Sequence, residues 1–303
     1  KHSLANLLSE CIIADKACIE HAHRRSEIKM DKPIIHIGHV KAGSTMLQSA
    51  VFPQQPKLMT LGRFGPGGDS FSSALTKEIL WEGLFTDELT FNHRLERYKD
   101  DAQALLSKAL LNEQIPVISN EVISWSYFSR NTFSDRMRNL KMIYGDARIL
   151  LIIRNQTDLL KSLYSTLVCD LGFSGSFDDL IEINLCQPLH ECFIFSNLDY
   201  SNQIEAINNV FSDLHVIPFE QLKKNPKQFA SLLNECFYHQ LTPIDLQTTT
   251  NSSHSNKHIG LVRALNEMKP TGLSGPRRYP IFPITSSHFD FSLSKATQSI
   301  PLT

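Results

Sequence analysis

No stretch of this 303-residue chain approaches the roughly 18 consecutive apolar residues that a membrane-spanning helix needs. Nor is there an excess of either charge: 30 Lys and Arg stand against 31 Asp and Glu, for a formal net charge of −1. That balance gives no support for a nucleic-acid binder, although a few cations gathered in one cleft would still serve a small anion. No secretory pattern opens the chain, and no internal repeat or low-complexity block interrupts it. Cysteine is sparse, at six residues. Cys18 with His21 and His23 has no second Cys/His pair at zinc spacing, so no metal site is expected there. Cys11 and Cys18 read as buried thiols on the apolar side of an N-terminal helix, and Cys186 and Cys192 are close enough for a local disulfide in an oxidising compartment.

A missing lysine is more informative still. Pro33 to Leu47 reads as a short apolar strand, a Gly-bounded loop and the first turn of a helix, an arrangement that aims backbone N–H groups at one spot and suits a phosphate. Gly38 and Gly43 have Walker A spacing, but that motif requires Lys directly after its second Gly, where this chain has Ser44-Thr45. The lysine stands inside the loop instead, at Lys41. The loop therefore suits a phosphate-like group without matching ordinary ATP or GTP chemistry.

What is present fits an ordinary globule, with 42% apolar and 20% charged residues and enough length for one large core. We expect a helical extension over residues 1–30 and a single domain over 31–303. Strands are expected at the loop segment, at Ile115 to Glu121, at Ala147 to Ile153 and at Leu214 to Phe219. Helical periodicity falls between them over 94–111 and after Arg154, and again near Ile259 to Met268. Alternating strands and helices imply an α/β fold, P-loop-like and three-layered, with a central mostly parallel sheet. Ligands of such sheets bind beyond the carboxyl ends of the strands, where Lys41, Glu121 and Arg154 would lie. The Gly-rich run from Leu61 to Asp69 follows no clear strand and opens no clear helix, so it reads as an irregular loop rather than a dinucleotide fingerprint.

Lys41-Ala42-Gly43-Ser44-Thr45 after an apolar strand resembles the 5′-phosphosulfate loop of sulfotransferases, which use 3′-phosphoadenosine 5′-phosphosulfate (PAPS) as sulfuryl donor. A second segment resembles the same family: Arg154 ends an apolar strand and Ser162 follows it by eight residues, with Tyr164 just beyond. In the family such a pair holds the 3′-phosphate of PAPS. Phe219-Glu220-Gln221-Leu222 with Pro226 is a further echo, read as architectural. The resemblance covers roughly residues 33–240.

The resemblance implies that Lys41, Ala42, Gly43, Ser44, Thr45 and Met46 bind the 5′-phosphate, that Arg154 and Ser162 bind the 3′-phosphate, and that no metal takes part. Lys41 would also meet the charge that grows on the leaving nucleotide, PAP. Transfer to a hydroxyl or amine needs a base. Glu121 is expected in that role, or alternatively in binding substrate or pairing with a nearby cation, with His39 as the other candidate base; His36, within the strand, is expected to be a satisfied core histidine. Gly275-Pro276-Arg277-Arg278-Tyr279 loosely resembles a basic loop that covers the nucleotide in heparan-type enzymes, which makes Arg277 a candidate cofactor contact or a solvated turn. Glu121 with Tyr127-Phe128 resembles the pattern of glutamate-base carbohydrate sulfotransferases, a resemblance that implies a carbohydrate or glycoconjugate acceptor, with a small phenol or alcohol as the alternative. The rivals are a nucleotide-dependent kinase with a degenerate P-loop and a binding protein without chemistry. The chain begins with Lys1, so the compartment is expected to be cytoplasmic for a bacterial protein and lumenal if an anchor precedes it. Nothing in the sequence specifies an oligomeric state.

Overall fold

The computed structural model describes residues 32–39, 41–64, 70–124, 131–170, 172–185, 198–243 and 255–268. The helical extension over 1–30, Tyr127, Phe128, Cys186, Cys192 and Arg277 lie outside the described residues.

Five strands form one parallel sheet: β1 (Ile34–Gly38), β2 (Leu58–Thr60), β5 (Ile115–Ser119), β6 (Arg148–Ile153) and β7 (Asp213–Pro218), in spatial order β2-β5-β1-β6-β7. Two short strands, β3 (Arg63–Phe64) and β4 (Ser70–Phe71), pair separately and antiparallel. They flank part of the run that was expected to be irregular. Connections leave β1 and β6 for opposite edges of the sheet, so the crevice between the ends of those two strands is its switch point.

Side chains of β1 alternate between two cores, as the period of two requires. Ile35 and Ile37 join Ile118, Ile149 and Leu151 on one face, beneath helices α2 (Ala74–Trp81), α3 (Glu88–Leu111) and α4 (Phe133–Tyr144). Ile34 joins Val117, Leu150, Ile152 and Ile217 on the other face, with Leu47 and Phe52 from the segment after the loop. Each of these fully buried aliphatic side chains contributes about 1.5–3 kcal/mol of transfer free energy. The remaining helices are α5 (Gln156–Cys169), α6 (Phe177–Leu185), α7 (Tyr200–Asn208), α8 (Glu220–Lys224), α9 (Pro226–Cys236) and α10 (Asn256–Met268). The fold is thus the expected three-layer α/β arrangement. No helix among the described residues is long and apolar enough to cross a membrane.

Two local departures from expectation bear on the site. The helix after the loop, α1, is α-helical only over Ser44–Met46, then widens to a π-turn over Leu47–Val51 and tightens to a 3₁₀ turn over Phe52–Gln54. Ser49 Oγ bonds back to the Thr45 carbonyl at 2.6 Å and Pro53 supplies no N–H, and both features work against a regular α-helix. Strand β5 stops at Ser119 rather than at Glu121. Asn120 turns the chain there: its Oδ1 accepts from Val122 N at 3.1 Å, and its Nδ2 donates to the Leu80 carbonyl at 3.0 Å. Glu121 consequently opens a 3₁₀ turn, Glu121–Ser124, just past the strand.

Candidate functional site

The loop between β1 and the Ser44 helix is anchored at its start, where His39 N donates to Ile152 O of β6 at 3.3 Å and Ala42 N donates back to His39 O at 3.0 Å. Lys41 has φ 67°, a left-handed conformation uncommon for a residue with a β-carbon. Gly43 has φ 86°, and there a β-carbon would lie 2.5 Å from the Phe219 ring. The loop is therefore held close against Phe219, at the beginning of the segment that runs into α8. Ser44 is buried, and its hydroxyl has no hydrogen-bond partner. The first-turn amides of Ser44 and Thr45 have no intrahelical acceptor, as at any helix start. Among the described residues the Lys41 ammonium forms no ion pair.

Arg154 follows the last residue of β6, and its Nη1 donates to the Lys41 carbonyl at 2.6 Å. The two motifs, 113 residues apart in sequence, thus meet at the switch point. The guanidinium also stands over the Phe219 ring at 5.4 Å. Asn155 then starts α5: its side chain accepts from Asp158 N at 3.2 Å and its own N–H donates to Glu220 Oε1 at 2.7 Å. Phe219-Glu220, read from sequence as architectural, therefore packs under both motifs and secures the turn between Arg154 and its helix. Ser162 lies half-buried in the second turn of α5, and among the described residues no hydrogen bond joins it to Arg154.

His39 is closed off from solvent. Its Nε2–H donates to Gln203 Oε1 at 2.8 Å and its ring packs on Tyr200 at 4.8 Å, while the Tyr200 hydroxyl donates to the Arg154 carbonyl at 2.7 Å. Burial pushes its pKa down to about 4, against the weaker opposing effect of the Gln203 hydrogen bond. Helix α7 thereby ties the loop to the end of β6 from one side.

Glu121 lies on the other side, near the end of β5. Its Oε1 accepts from Arg63 Nη1, and its Oε2 accepts from Gln48 Nε2 at 2.9 Å. The Arg63 guanidinium also stands over the Trp81 ring at 5.5 Å. Gln48 donates a second bond, at 3.1 Å, to Ser119 Oγ, which lies 2.8 Å from His36 Nδ1. His36 is fully buried, and burial pushes its pKa down to about 3. It was expected to be satisfied, yet among the described residues only Nδ1 is bonded and Nε2 has no partner.

Sequence reading missed Arg63, Gln48, Ser119, Tyr200 and Gln203. None lies in a motif, and their partners are 46 to 164 residues away. Arg136 is a further case: it is buried, its Nε donates to the Ile123 carbonyl at 3.0 Å, and it thereby holds the turn that begins at Glu121. Among the described residues no group of three His, Cys, Asp or Glu side chains could hold a metal ion.

No protein-family model and no curated protein matches this chain. Solved structures do resemble it in backbone path. A sulfotransferase from Alicyclobacillus acidocaldarius is 18% identical, with a TM-score of 0.48 over 73% of this chain and 86% of its own. The sulfotransferase domain from the curacin biosynthetic pathway is 12% identical, with a TM-score of 0.38 over 74% and 79% of the two chains. A sulfotransferase from Mycobacterium tuberculosis is 12% identical, with a TM-score of 0.36 over 83% of this chain and 80% of its own.

Proposed function

We propose that this chain is a PAPS-dependent sulfotransferase that transfers the sulfuryl group to a hydroxyl or amine of a carbohydrate or glycoconjugate acceptor. The observation that supports this most is the junction of Lys41 and Arg154 at the sheet's switch point. The Arg154 guanidinium reaches the loop that carries Lys41 and the buried Ser44 hydroxyl, unpartnered among the described residues, and such a donor set suits an anion with two separate phosphates.

The residues fit the nucleotide in a definite order. Ser44, Thr45 and the amides around Gly43 would hold the 5′-phosphate, with Arg154 and Ser162 assigned to the 3′-phosphate. PAPS supplies an activated sulfuryl group when bound. Lys41, on the loop itself, is suited to offset negative charge as it develops on the leaving side. Glu121 is suited to accept the acceptor's proton, since each carboxylate oxygen keeps lone-pair capacity beyond its bond to Arg63 or Gln48. His39 is the less suited base, because its Nε2–H is committed to Gln203 and its ring is enclosed.

Parallel calorimetric titration with PAP, AMP and Mg-ATP tests the reading. Tight PAP binding with weak AMP binding and no preference for ATP is the expected result. Preference for ATP would place the chain among nucleotide-dependent kinases instead.

A further inference from the structure

The polar chain behind Glu121 fixes the position of a proton far from it. Glu121 as a carboxylate only accepts, so the Gln48 carboxamide must turn its nitrogen toward Oε2, where the two atoms are 2.9 Å apart. The same nitrogen's second hydrogen goes to Ser119 Oγ at 3.1 Å. The Ser119 hydroxyl thus already accepts from Gln48, and its other described partner is His36 Nδ1 at 2.8 Å. Were it to accept there too, its own proton would be left with no described acceptor and His36 Nε2 with no described donor, so the proton goes to Nδ1. His36 Nδ1 is then an acceptor, and the ring's single proton sits on Nε2. That N–H is buried and unpartnered.

The unpartnered N–H faces the loop across Gly38. A β-carbon placed on Gly38 would lie 3.0 Å from His36 Nε2 and 2.0 Å from Ser44 Oγ, so the two orphan atoms flank the same glycine. Phe52 packs edge-on against the imidazole at 5.5 Å and holds the ring in this orientation. A phosphate oxygen needs a donor. A Ser44 hydroxyl that gives its proton to phosphate has an oxygen free to accept, and the orphan donor across Gly38 is His36 Nε2–H.

We propose that His36, as its Nε2–H tautomer, is a positioning residue for the loop: it donates to Ser44 Oγ on ligand binding and commits the Ser44 proton to a bound phosphate oxygen. The role rests on the reading of this loop as a phosphate site. It makes Gln48 and Ser119 the link by which the carboxylate side of the site sets proton placement on the nucleotide side.

The test uses the full chain and ¹⁵N histidine NMR, with the His36 signals assigned through their loss in His36→Phe. In the free protein at neutral pH the expected tautomer carries its proton on Nε2, and Ser119→Ala shifts it toward Nδ1. Addition of PAP should move the Nε2–H resonance, and Ser44→Ala should abolish that response. His36→Phe should weaken PAP binding about tenfold, the loss of roughly one hydrogen bond, while His36→Gln, which keeps an N–H, recovers most of it. An Nδ1–H tautomer in the wild-type protein overturns the proposal, as does wild-type PAP affinity in a folded His36→Phe. If the wild-type chain does not bind PAP at all, the phosphate-site reading falls, and the role of His36 in binding falls with it whichever tautomer is seen. PAP binding combined with the wrong tautomer removes only the inference about His36.

Discussion

Arg154 Nη1 and the carbonyl oxygen of Lys41 lie 2.6 Å apart, so the arginine of one motif fixes the backbone of the other. Lys41 holds a left-handed conformation that costs of order 1–3 kcal/mol, and a charge-assisted bond to its carbonyl is strong enough to offset much of that. Arg154 therefore braces the loop, in addition to the phosphate contact proposed for it.

Replacing Arg154 by alanine should weaken PAP by roughly 10- to 100-fold, as expected for one charge-assisted contact. AMP, which lacks a 3′-phosphate, should lose only the smaller amount that comes from a looser loop. Isothermal titration of both nucleotides against the variant decides the matter, and equal losses would remove the 3′-phosphate assignment.

For Lys41→Ala the expected outcome is a turnover loss on the order of 10²- to 10³-fold while PAP still binds. Turnover assays and titration on the same preparation separate catalysis from binding. Turnover near the wild-type value would eliminate the proposed role of Lys41.

Glu121→Gln keeps the shape of the side chain and its place beside Arg63 and Gln48, but removes most of its basicity. We expect kcat to fall on the order of 10²- to 10⁴-fold with little change in PAP affinity. An unchanged kcat would rule out Glu121 as the base and leave it as the partner of Arg63 and Gln48.

Gly43→Ala would put a β-carbon against Phe219 and hold alanine at φ 86°. The conformational part alone costs about 1–2 kcal/mol. Chemical denaturation should show at least that loss, and PAP binding should fall in the folded variant as well. Full stability and full affinity together would mean that the loop relaxes freely, contrary to its packing on Phe219.

Acid should unfold the protein in part through its buried histidines. His36 and His39 have folded pKa values of about 3 and about 4, below the ordinary 6.5, because burial disfavours the imidazolium. The unfolded chain therefore binds more protons than the folded one across that interval. Their contribution is fully present above pH 6.5, declines as pH falls and is exhausted below about 3 for His36 and about 4 for His39. Each adds a slope of about 1.4 kcal/mol per pH unit where only its unfolded form is protonated. Urea midpoints measured from pH 7 to pH 4 should drop more steeply for the wild-type chain than for His36→Phe or His39→Phe.

Much of this site was legible because its backbone is local. An apolar strand, a Gly-bounded turn and a hydroxyl pair lie within fifteen residues, and Arg154 directly follows a continuous apolar run. The surroundings were not legible, for a physical reason. Arg63, Gln48, Ser119 and Gln203 become partners of site residues only after the sheet brings distant segments together, and a polar residue alone does not announce such a partner. Asn120 shows the same limit on a smaller scale. Its side chain ends β5 by bonding to Val122 N and to the Leu80 carbonyl, and the second of those contacts depends on α2 being in place.

The strand order has a consequence for how the molecule comes into being. β1 is the first of the described strands in sequence and the middle one of its sheet in space: Ile35 pairs with Ile118 on one side and with Ile149 on the other. During synthesis the loop segment emerges long before either neighbour, and it must wait unpaired while β5 and then β6 are made. Parallel pairings of this span form slowly, because long loops close before any contact compensates for the lost freedom. A nascent chain that ends short of Arg148 thus contains every residue of the Lys41 loop while lacking the strand that anchors His39 N and the arginine that braces Lys41.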